Sequence, residues 1–160
     1  MPFIRPATPA DATTFSEVAQ AAKAHWGYPQ QWLHVWRPQL TISAAQITQD
    51  CYHALQLGDQ VIGLVGICFA HGQANLVDCW ILPAYMGKGW GRLLIRAAAQ
   101  SVQARGLTHV LIESDPYARG FYEHLGATLL GWVDRPVLGV DRKLPLLSLD
   151  LSKFEKESNQ

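Results

Sequence analysis

Two kinds of hydrophobic pattern meet in the middle of this chain. Ala74 to Leu82 is rich in β-forming residues, and Pro83 ends the run because proline cannot donate a hydrogen bond to a neighbouring strand. Beyond it, apolar residues recur at three- and four-residue spacing up to Gly106, as on one face of an amphipathic helix: Trp90, Leu93, Leu94, Ala97, Ala98 and Val102. The pattern predicts a strand, a glycine-rich loop and then a helix.

The N-terminal segment carries the signals of a strand followed by a helix. Phe3 to Arg5 is a candidate strand. Thr8 is a helix-capping residue, Pro9 suits the first helical position and Asp11 completes a capping box. A first helix is therefore predicted to run to about Ala24.

A second helix is predicted from Gln30 to Pro38, because three large apolar residues share one face: Trp32, Val35 and Trp36. Thr41 to Gln49 has the pattern of a short helix or a loop. The connection between the first two helices holds His25, Trp26 and Tyr28. Polar and aromatic residues in such a connection often face a binding site, so these three are candidate substrate contacts.

Three consecutive antiparallel strands are predicted in the centre of the sequence. Cys51 to Leu55 and Val61 to Ala70 flank the turn Gly58-Asp59, and His71-Gly72 leads into the strand Ala74 to Leu82. This arrangement predicts a β-meander.

The C-terminal third alternates between strand and helix signals. His109 to Glu113 is a β-rich run reached through a helix, so it is expected to lie parallel to the preceding strand, and the two strand ends could splay to admit a ligand. Asp115 and Pro116 carry the cap and first-position signals of a helix that ends at Gly126. On one face of that helix lie Tyr117, Phe121 and Leu125.

The chain is predicted to form one domain over residues 1–151. Leu129 to Val133 and Leu144 to Leu151 are the final strands, and Ser152 to Gln160 is expected to be a polar tail. The whole sequence has 160 residues, of which 49% are hydrophobic, and this is enough apolar surface to form a substantial core.

Charge and cysteine content narrow the function classes. Lys plus Arg (13) balance Asp plus Glu (13), so nucleic acid or an anionic membrane is not expected as the main partner, and a small neutral or cationic substrate fits better. No membrane span or signal peptide is recognisable, so a cytoplasmic location is expected. Cys51, Cys68 and Cys79 are expected to be buried reduced thiols, and no metal site is predicted.

Gly87, Gly89 and Gly91 sit at the predicted N-terminus of the central helix. First-turn N–H groups lack intrahelical partners and the helix dipole is positive there, so this loop is a candidate phosphate site, to which Lys88 and Arg92 add positive charge. The spacing matches neither a P-loop nor a dinucleotide-binding fingerprint.

The loop resembles the acetyl-CoA loop of the GNAT superfamily of N-acetyltransferases. That pattern, Arg or Gln, two residues, Gly, one residue, then Gly or Ala, falls on Met86, Gly89 and Gly91. A second GNAT pattern begins with Asn and continues through Ala, Tyr and Gly. Asp115 stands at the Asn position, and the other three positions match: Ala118, Tyr122 and Gly126.

The resemblance implies a GNAT-type α/β (α+β) fold, with a mixed, mostly antiparallel twisted sheet that is flanked by helices and splayed where acetyl-CoA enters. It also implies that His25, Trp26 and Tyr28 border the acceptor. Twelve residues are the implied cofactor contacts: Ile81, Leu82, Met86, Gly87, Lys88, Gly89, Trp90, Gly91, Arg92, Asp115, Tyr117 and Tyr122.

Acyl transfer to an amine needs a base, oxyanion stabilisation and a proton for the departing thiolate. Tyr122 is the candidate acid, and the backbone N–H of Leu82 is the candidate oxyanion donor by analogy with a GNAT strand bulge. Asp78 is an acid within an apolar strand, which makes it a candidate base. A structural aspartate paired with Arg5 or Arg142 explains it equally well, and His25 or water are other possible bases.

The expected function is transfer of the acetyl group from acetyl-CoA to a primary amine of a small molecule, by direct attack within a ternary complex. Trp26 and Tyr28 favour a small amine, because aromatic faces attract a cation. The alternatives are a protein or peptide N-acetyltransferase and a non-catalytic acyl-CoA sensor. A homodimer is possible, because late edge strands can pair across a two-fold axis.

Overall fold

The protein is built on one seven-stranded sheet, and the computed structural model is described here for residues 1–154. The strands lie in the order β1-β2-β3-β4-β5-β7-β6, and only β4 and β5 are parallel. Their bounds are β1 Phe3–Pro6, β2 Cys51–Leu57, β3 Gln60–Ala70, β4 Gln73–Ile81, β5 His109–Glu113, β6 Thr128–Asp134 and β7 Lys143–Asp150. This confirms the predicted mixed, mostly antiparallel sheet.

Five α-helices that lie wholly within residues 1–154 flank the sheet on its two faces. Their bounds are α1 Ala12–Ala24, α2 Gln30–Trp36, α3 Ala44–Gln49, α4 Gly91–Gln103 and α5 Arg119–His124. Leu94 and Ile95 of α4 belong to one buried cluster, on the face that α5 also covers. Phe15 and Val18 of α1 belong to a second cluster, on the opposite face, together with residues of α2 and α3. No helix among residues 1–154 has the length and apolar character needed to cross a bilayer.

The parallel pair β4–β5 separates along its length. The two strands are paired only over Ala74–Leu76 and Val110–Ile112, and β4 then continues to Ile81 without β5 beside it. Asp78 faces Gly66 of β3 across a register shift that leaves Val77 as an extra residue in β4. The predicted splay is confirmed, and we use that word for the gap beyond Leu76.

Two expected element boundaries are wrong. Asp115 does not begin a helix: residues 115–118 form a turn in which the Ala118 N–H donates to the Asp115 carbonyl oxygen (2.9 Å), and α5 starts only at Arg119. The Asp115 carboxylate accepts from the Tyr117 N–H (2.9 Å), as in an Asx turn. At the N-terminus, Asp11 does accept from the Thr8 N–H (2.8 Å), but a 3-10 turn precedes α1.

The expected polar tail and the cysteines also need correction. Phe154 is only 2% exposed and packs in the α4-side core, so Ser152 to Phe154 belong to the domain. The rest of the expected tail, 155–160, lies outside the described residues. The three cysteines are free thiols, as expected, but each is only partly buried.

Candidate active site

Three connected depressions surround the splay. The gap between β4 and β5 is a cavity of about 130 Å³, which we call the splay cavity. On the α4–α5 face it meets a cavity of about 260 Å³, the loop cavity, whose lining includes Trp26, Ile81, Met86, Gly89, Tyr117 and Tyr122. On the other face lies a cavity of about 450 Å³, the charged cavity, whose lining includes Lys23, Trp36, Asp78, Trp80, Asp115 and Arg142. The splay is therefore accessible from both faces of the sheet.

The three loop glycines are required for two different reasons. Gly87 and Gly89 have φ of +76° and +80°, a left-handed conformation that strains any residue with a Cβ. Gly91 has an ordinary backbone, but a Cβ there would lie 2.9 Å from the Phe121 ring. Gly91 therefore allows α5 to pack against the start of α4.

The start of α4 has the features of a candidate anion site. Trp90 is its N-cap residue and makes no side-chain cap hydrogen bond, and the first turn contains no acidic residue. The Lys88 side chain is exposed, with Nζ 5.8 Å from the Trp90 ring centroid. Arg92 points toward the C-terminal segment, with its guanidinium carbon 5.3 Å from the Phe154 ring centroid. The Leu93 N–H donates to the Trp90 carbonyl oxygen (3.1 Å). The positive end of the α4 dipole beside a glycine cradle fits the diphosphate of coenzyme A.

The Leu82 amide is not available to an acyl oxygen in this structure. Its N–H donates to the Ile62 carbonyl oxygen of β3 at 2.8 Å. Because successive amides of a strand point to opposite sides, the N–H of Ile81 points away from β3 and into the splay. The register with β3 continues without a break through Cys79, so the Cys79 N–H points the same way. Ile81, one residue before the expected Leu82, therefore supplies the strand amide that faces the splay.

Tyr122 is buried on the α5 side of the splay, where it is 6% exposed and lines both the splay and loop cavities. Burial raises the pKa of Tyr122 well above its usual value, and the neighbouring Cys79 thiol adds to the increase. Burial likewise raises the pKa of the Cys79 thiol to about 12, against the effect of its hydrogen bond with Tyr122. Both groups are therefore neutral at physiological pH, and Tyr122 is a hydrogen-bond donor.

Asp78 lies on the opposite face of β4, 7% exposed, and lines the splay and charged cavities. Its carboxylate accepts from the Tyr52 hydroxyl (2.7 Å) and from Trp80 Nε1 (2.8 Å). Burial raises the pKa of Asp78 to about 6, and the two hydrogen bonds oppose that shift. Gly66 makes the contact possible, because a Cβ there would lie 2.3 Å from the Tyr52 ring.

Neither arginine proposed as a structural partner of Asp78 reaches it. Arg5 forms a two-pronged ion pair with Asp11, at 2.8 and 2.9 Å. Arg142 contacts Tyr28 and Asp115 instead. Asp78 is therefore held only by neutral donors among the described side chains, and it has no cationic partner among the recorded ion pairs of residues 1–154.

The Asp115 carboxylate lies in the charged cavity. It pairs with Lys23 Nζ at 2.5 Å, accepts from the Tyr28 hydroxyl at 3.0 Å, and lies 3.6 Å from Arg142. Burial lowers the pKa of Lys23, and the bond to Asp115 works against that decrease. Burial also raises the pKa of Tyr28 to about 12, so its hydroxyl stays protonated.

The three residues of the α1–α2 connection have different surroundings. Trp26 lines the splay and loop cavities and stacks on Tyr117, with ring centroids 5.3 Å apart and planes 6° from parallel. Tyr28 already has Lys23 Nζ 5.0 Å from its ring centroid, so a protein cation occupies its aromatic face. His25 is exposed and packs edge-on against Trp26.

The sequence did not point to Lys23, Tyr52 or Trp80 as residues of this site, and it pointed to Arg142 only as a possible partner of Asp78. They come from α1, β2, β4 and the β6–β7 connection. The one available signal was Gly66, a glycine inside a buried strand run, which often marks a close approach by another group. Within residues 1–154, no three His, Cys, Asp or Glu side chains are grouped so as to hold a metal ion.

Known structures share this fold at low sequence identity. A GCN5-related N-acetyltransferase from Rhodopseudomonas palustris superposes with a TM-score of 0.77 at 16% identity, over 94% of this chain and 96% of that one. PaiA N-acetyltransferase of Thermoplasma acidophilum, solved with coenzyme A, gives 0.71 at 16% identity, over 94% and 99%. YncA of Salmonella typhimurium, solved with acetyl-CoA, gives 0.69 at 20% identity, over 95% of each chain.

No curated protein sequence matches the chain. The model of the acetyltransferase (GNAT) family, in contrast, matches residues 16–127, which include the glycine loop, Asp78 and Tyr122. That match covers well over half of the sequence, so the chain belongs to the acetyltransferase (GNAT) family and is an N-acetyltransferase that uses acetyl-CoA.

Proposed function

We propose that this acetyltransferase acetylates a primary amine of a small molecule by direct attack within a ternary complex. One observation supports this proposal above the others: Asp78 and Tyr122 line the same splay cavity from opposite faces of the sheet. A base on one side and a hydrogen-bond donor on the other suits the attack of an amine on the thioester carbonyl followed by departure of the thiolate.

The loop face provides the residues that would hold acetyl-CoA. The backbone of Gly87 and Gly89 and the open first turn of α4 would bind its diphosphate, while Met86 and the Trp26–Tyr117 stack line the same cavity with apolar surface. The bound thioester supplies the acetyl group. Lys88, Trp90 and Arg92 flank this loop, and their contacts with the cofactor remain part of the proposal.

Three groups of the protein carry the chemistry. Asp78, with its pKa raised to about 6, is ionised at pH 7.5 and takes the proton that the amine loses as its C–N bond forms. The N–H of Ile81, rather than that of Leu82, stabilises the negative charge that develops on the acyl oxygen. Tyr122 donates a hydrogen bond to the sulfur as the C–S bond breaks. The raised pKa of Tyr122 makes complete proton transfer to a thiolate unfavourable, so the thiolate takes its proton from water.

The charged cavity favours a small acceptor over a protein segment. Its walls come from α1, α2, β4, β5 and the β6–β7 connection, with Gln39 and Pro136 among its lining residues. Its volume of about 450 Å³ lies within the range of small-molecule sites. His25, which is exposed and does not line it, is a weaker candidate for the base than Asp78.

Initial-rate kinetics with an amine panel test this proposal. Release of CoA thiol should accompany acetylation of at least one small amine, and double-reciprocal plots should intersect, as expected for a ternary complex. Parallel lines and an acetylated form of the enzyme in a mass spectrum would instead indicate a covalent route. Acetylation of protein substrates alone, with every small amine inert, would show that the acceptor class is wrong.

A homodimer through strand β6 is a further part of the proposal. β6 is an edge strand of the sheet, and its Leu130 and Trp132 side chains are 57% and 54% exposed. Apolar side chains on an unpaired edge are a common site of self-association. Light scattering on the wild type and on Trp132→Glu should show a dimer that the substitution converts to a monomer.

A further inference from the structure

The charged cavity contains three cationic and three acidic side chains, and they do not all pair with one another. The cations are Lys23, Arg135 and Arg142; the acids are Asp78, Glu113 and Asp115. Lys23 pairs with Asp115 at 2.5 Å. Arg135 grips Glu113 with two hydrogen bonds, at 2.5 and 3.1 Å. Arg142 shares Asp115 with Lys23, at the longer distance of 3.6 Å, and Asp78 has no ionic partner among the described residues.

Arg142 is held in place by contacts that leave most of its hydrogen-bonding capacity unused. Its guanidinium carbon lies 4.8 Å from the Trp36 ring centroid and 5.4 Å from that of Tyr28, and its side chain is only 11% exposed. Both recorded polar contacts involve Nη2: a hydrogen bond to the Tyr28 hydroxyl (3.1 Å) and a 3.6 Å approach to Asp115. Its Nε and Nη1 donors therefore remain for a ligand in the cavity that Arg142 lines.

The cavity thus presents one positive and one negative anchor. An arginine that is fixed by aromatic rings and has two free donors matches a planar carboxylate. A single cation whose acidic partner is shared with Lys23 suits a monoanion better than a phosphate dianion. A polycationic acceptor would place positive charge beside Lys23 and Arg142, which is unfavourable.

We propose that the acceptor is an amino carboxylic acid, with its amine at Asp78 and its carboxylate on Arg142. This inference rests on the proposed function and adds the substrate class to it. Apolar lining residues that include Trp36, Trp80 and Leu144 would surround an apolar substituent of such an acceptor.

A matched set of acceptors isolates the carboxylate: L-phenylalanine, L-phenylalaninamide and phenethylamine. The wild-type enzyme should have the highest kcat/KM for the amino acid, although the carboxamide has the less basic amine and therefore more of the reactive neutral form at pH 7.5. Arg142→Gln should lower kcat/KM for L-phenylalanine by roughly 10- to 100-fold, mainly through KM, as expected for a lost charge-assisted bond. Phenethylamine should be affected little, and Arg142→Lys should restore part of the loss.

Arg135→Gln is the matched control, because Arg135 lines the same cavity but is already paired with Glu113. This variant should keep the preference for the carboxylate. Equal kcat/KM for all three acceptors in the wild type, or an equal loss on all three in Arg142→Gln, would overturn the inference. If no amine is acetylated, the proposed function fails instead, and calorimetric titration of L-phenylalanine against L-phenylalaninamide into the enzyme–CoA complex still decides whether the carboxylate is recognised.

Discussion

At the splay, the two faces of β4 are lined by different kinds of chemical group. On the loop face, the cavity is lined by backbone and by neutral side chains, which include the glycine loop, Ile81, Cys79 and Tyr122. On the charged face, six of the lining residues are ionisable acids or bases, and their side chains make most of the polar contacts described above. A cofactor that is always the same can be bound by backbone geometry. Charged side chains, which substitution can change without altering the fold, are suited to selecting an acceptor.

The largest effect is expected from removing the base on the charged face. Asp78→Asn should lower kcat/KM by about 10²- to 10⁴-fold at pH 7.5, the range for loss of a general base. Acetyl-CoA affinity should not change, because Asp78 does not line the loop cavity. In the wild type, kcat/KM should increase with pH, with an apparent pKa near 6. This acidic limb of the pH profile should be absent from Asp78→Asn.

Stability provides an independent check on the same substitution. The pKa of Asp78 is higher in the folded protein, about 6, than the usual 3.8, so the folded state binds more protons between these values. Ionisation of Asp78 therefore reduces stability as pH rises from about 4 to 6. Asp78→Asn should unfold at a higher temperature than wild type above pH 6, and the difference should shrink below pH 4. Loss of activity with loss of stability at pH 7.5 would indicate a structural aspartate.

The second effect concerns the loop face alone. Gly89→Ala places a Cβ at φ +80°, which costs about 1 kcal/mol and distorts the phosphate cradle. We expect acetyl-CoA binding to weaken about tenfold or more, with the acceptor KM little changed. Gly72→Ala is the matched control, because Gly72 also has a positive φ (+73°) and open space, but lies in the β3–β4 turn, away from the site. If both variants bind CoA equally well, the loop does not depend on that conformation.

The contrast between the faces also explains what the sequence could predict. The loop face is formed mainly by two contiguous segments, around residues 81–92 and 115–122, so the spacing of its motif residues was visible in the sequence. The strands, the splay and the parallel pair could also be predicted from local patterns. The charged face gathers Lys23, Tyr52, Asp78 and Arg142 from distant parts of the chain, and their proximity depends on sheet order. Asp115 illustrates the limit: its local signal is that of a helix cap, but its carboxylate pairs with Lys23, which lies 92 residues earlier.

The third effect tests the donor on the loop face. Tyr122→Phe removes a hydroxyl whose pKa is raised well above its usual value, so it should remove a hydrogen bond rather than a titrating acid. We expect kcat to fall about tenfold, the value of one hydrogen bond made in the transition state, with no change in the shape of the pH profile. Loss of an alkaline limb in the variant would show that Tyr122 transfers a proton. Unchanged turnover at every pH would show that it takes no part.

The smallest effect is expected from a change to the hydrogen bonding of Asp78 on the charged face. Tyr52→Phe removes the 2.7 Å hydrogen bond to Asp78 but keeps the ring that packs on Gly66. Because a hydrogen bond to the charged form favours that form, its loss should raise the pKa of Asp78, and the acidic limb of kcat/KM should move up by about one pH unit.

Comparison of Tyr52→Phe with Asp78→Asn distinguishes a shift in the pKa of the base from loss of the base itself. Above pH 8, where Asp78 remains ionised in both proteins, Tyr52→Phe should retain nearly the wild-type rate, whereas Asp78→Asn should stay slow. Tyr85→Phe is a suitable control, because the Tyr85 hydroxyl contacts Gln60 at 3.1 Å and does not reach Asp78. If the acidic limb of the kcat/KM profile lies at the same pH in Tyr52→Phe as in the wild type, the titrating group is not Asp78. The base would then be another group or water.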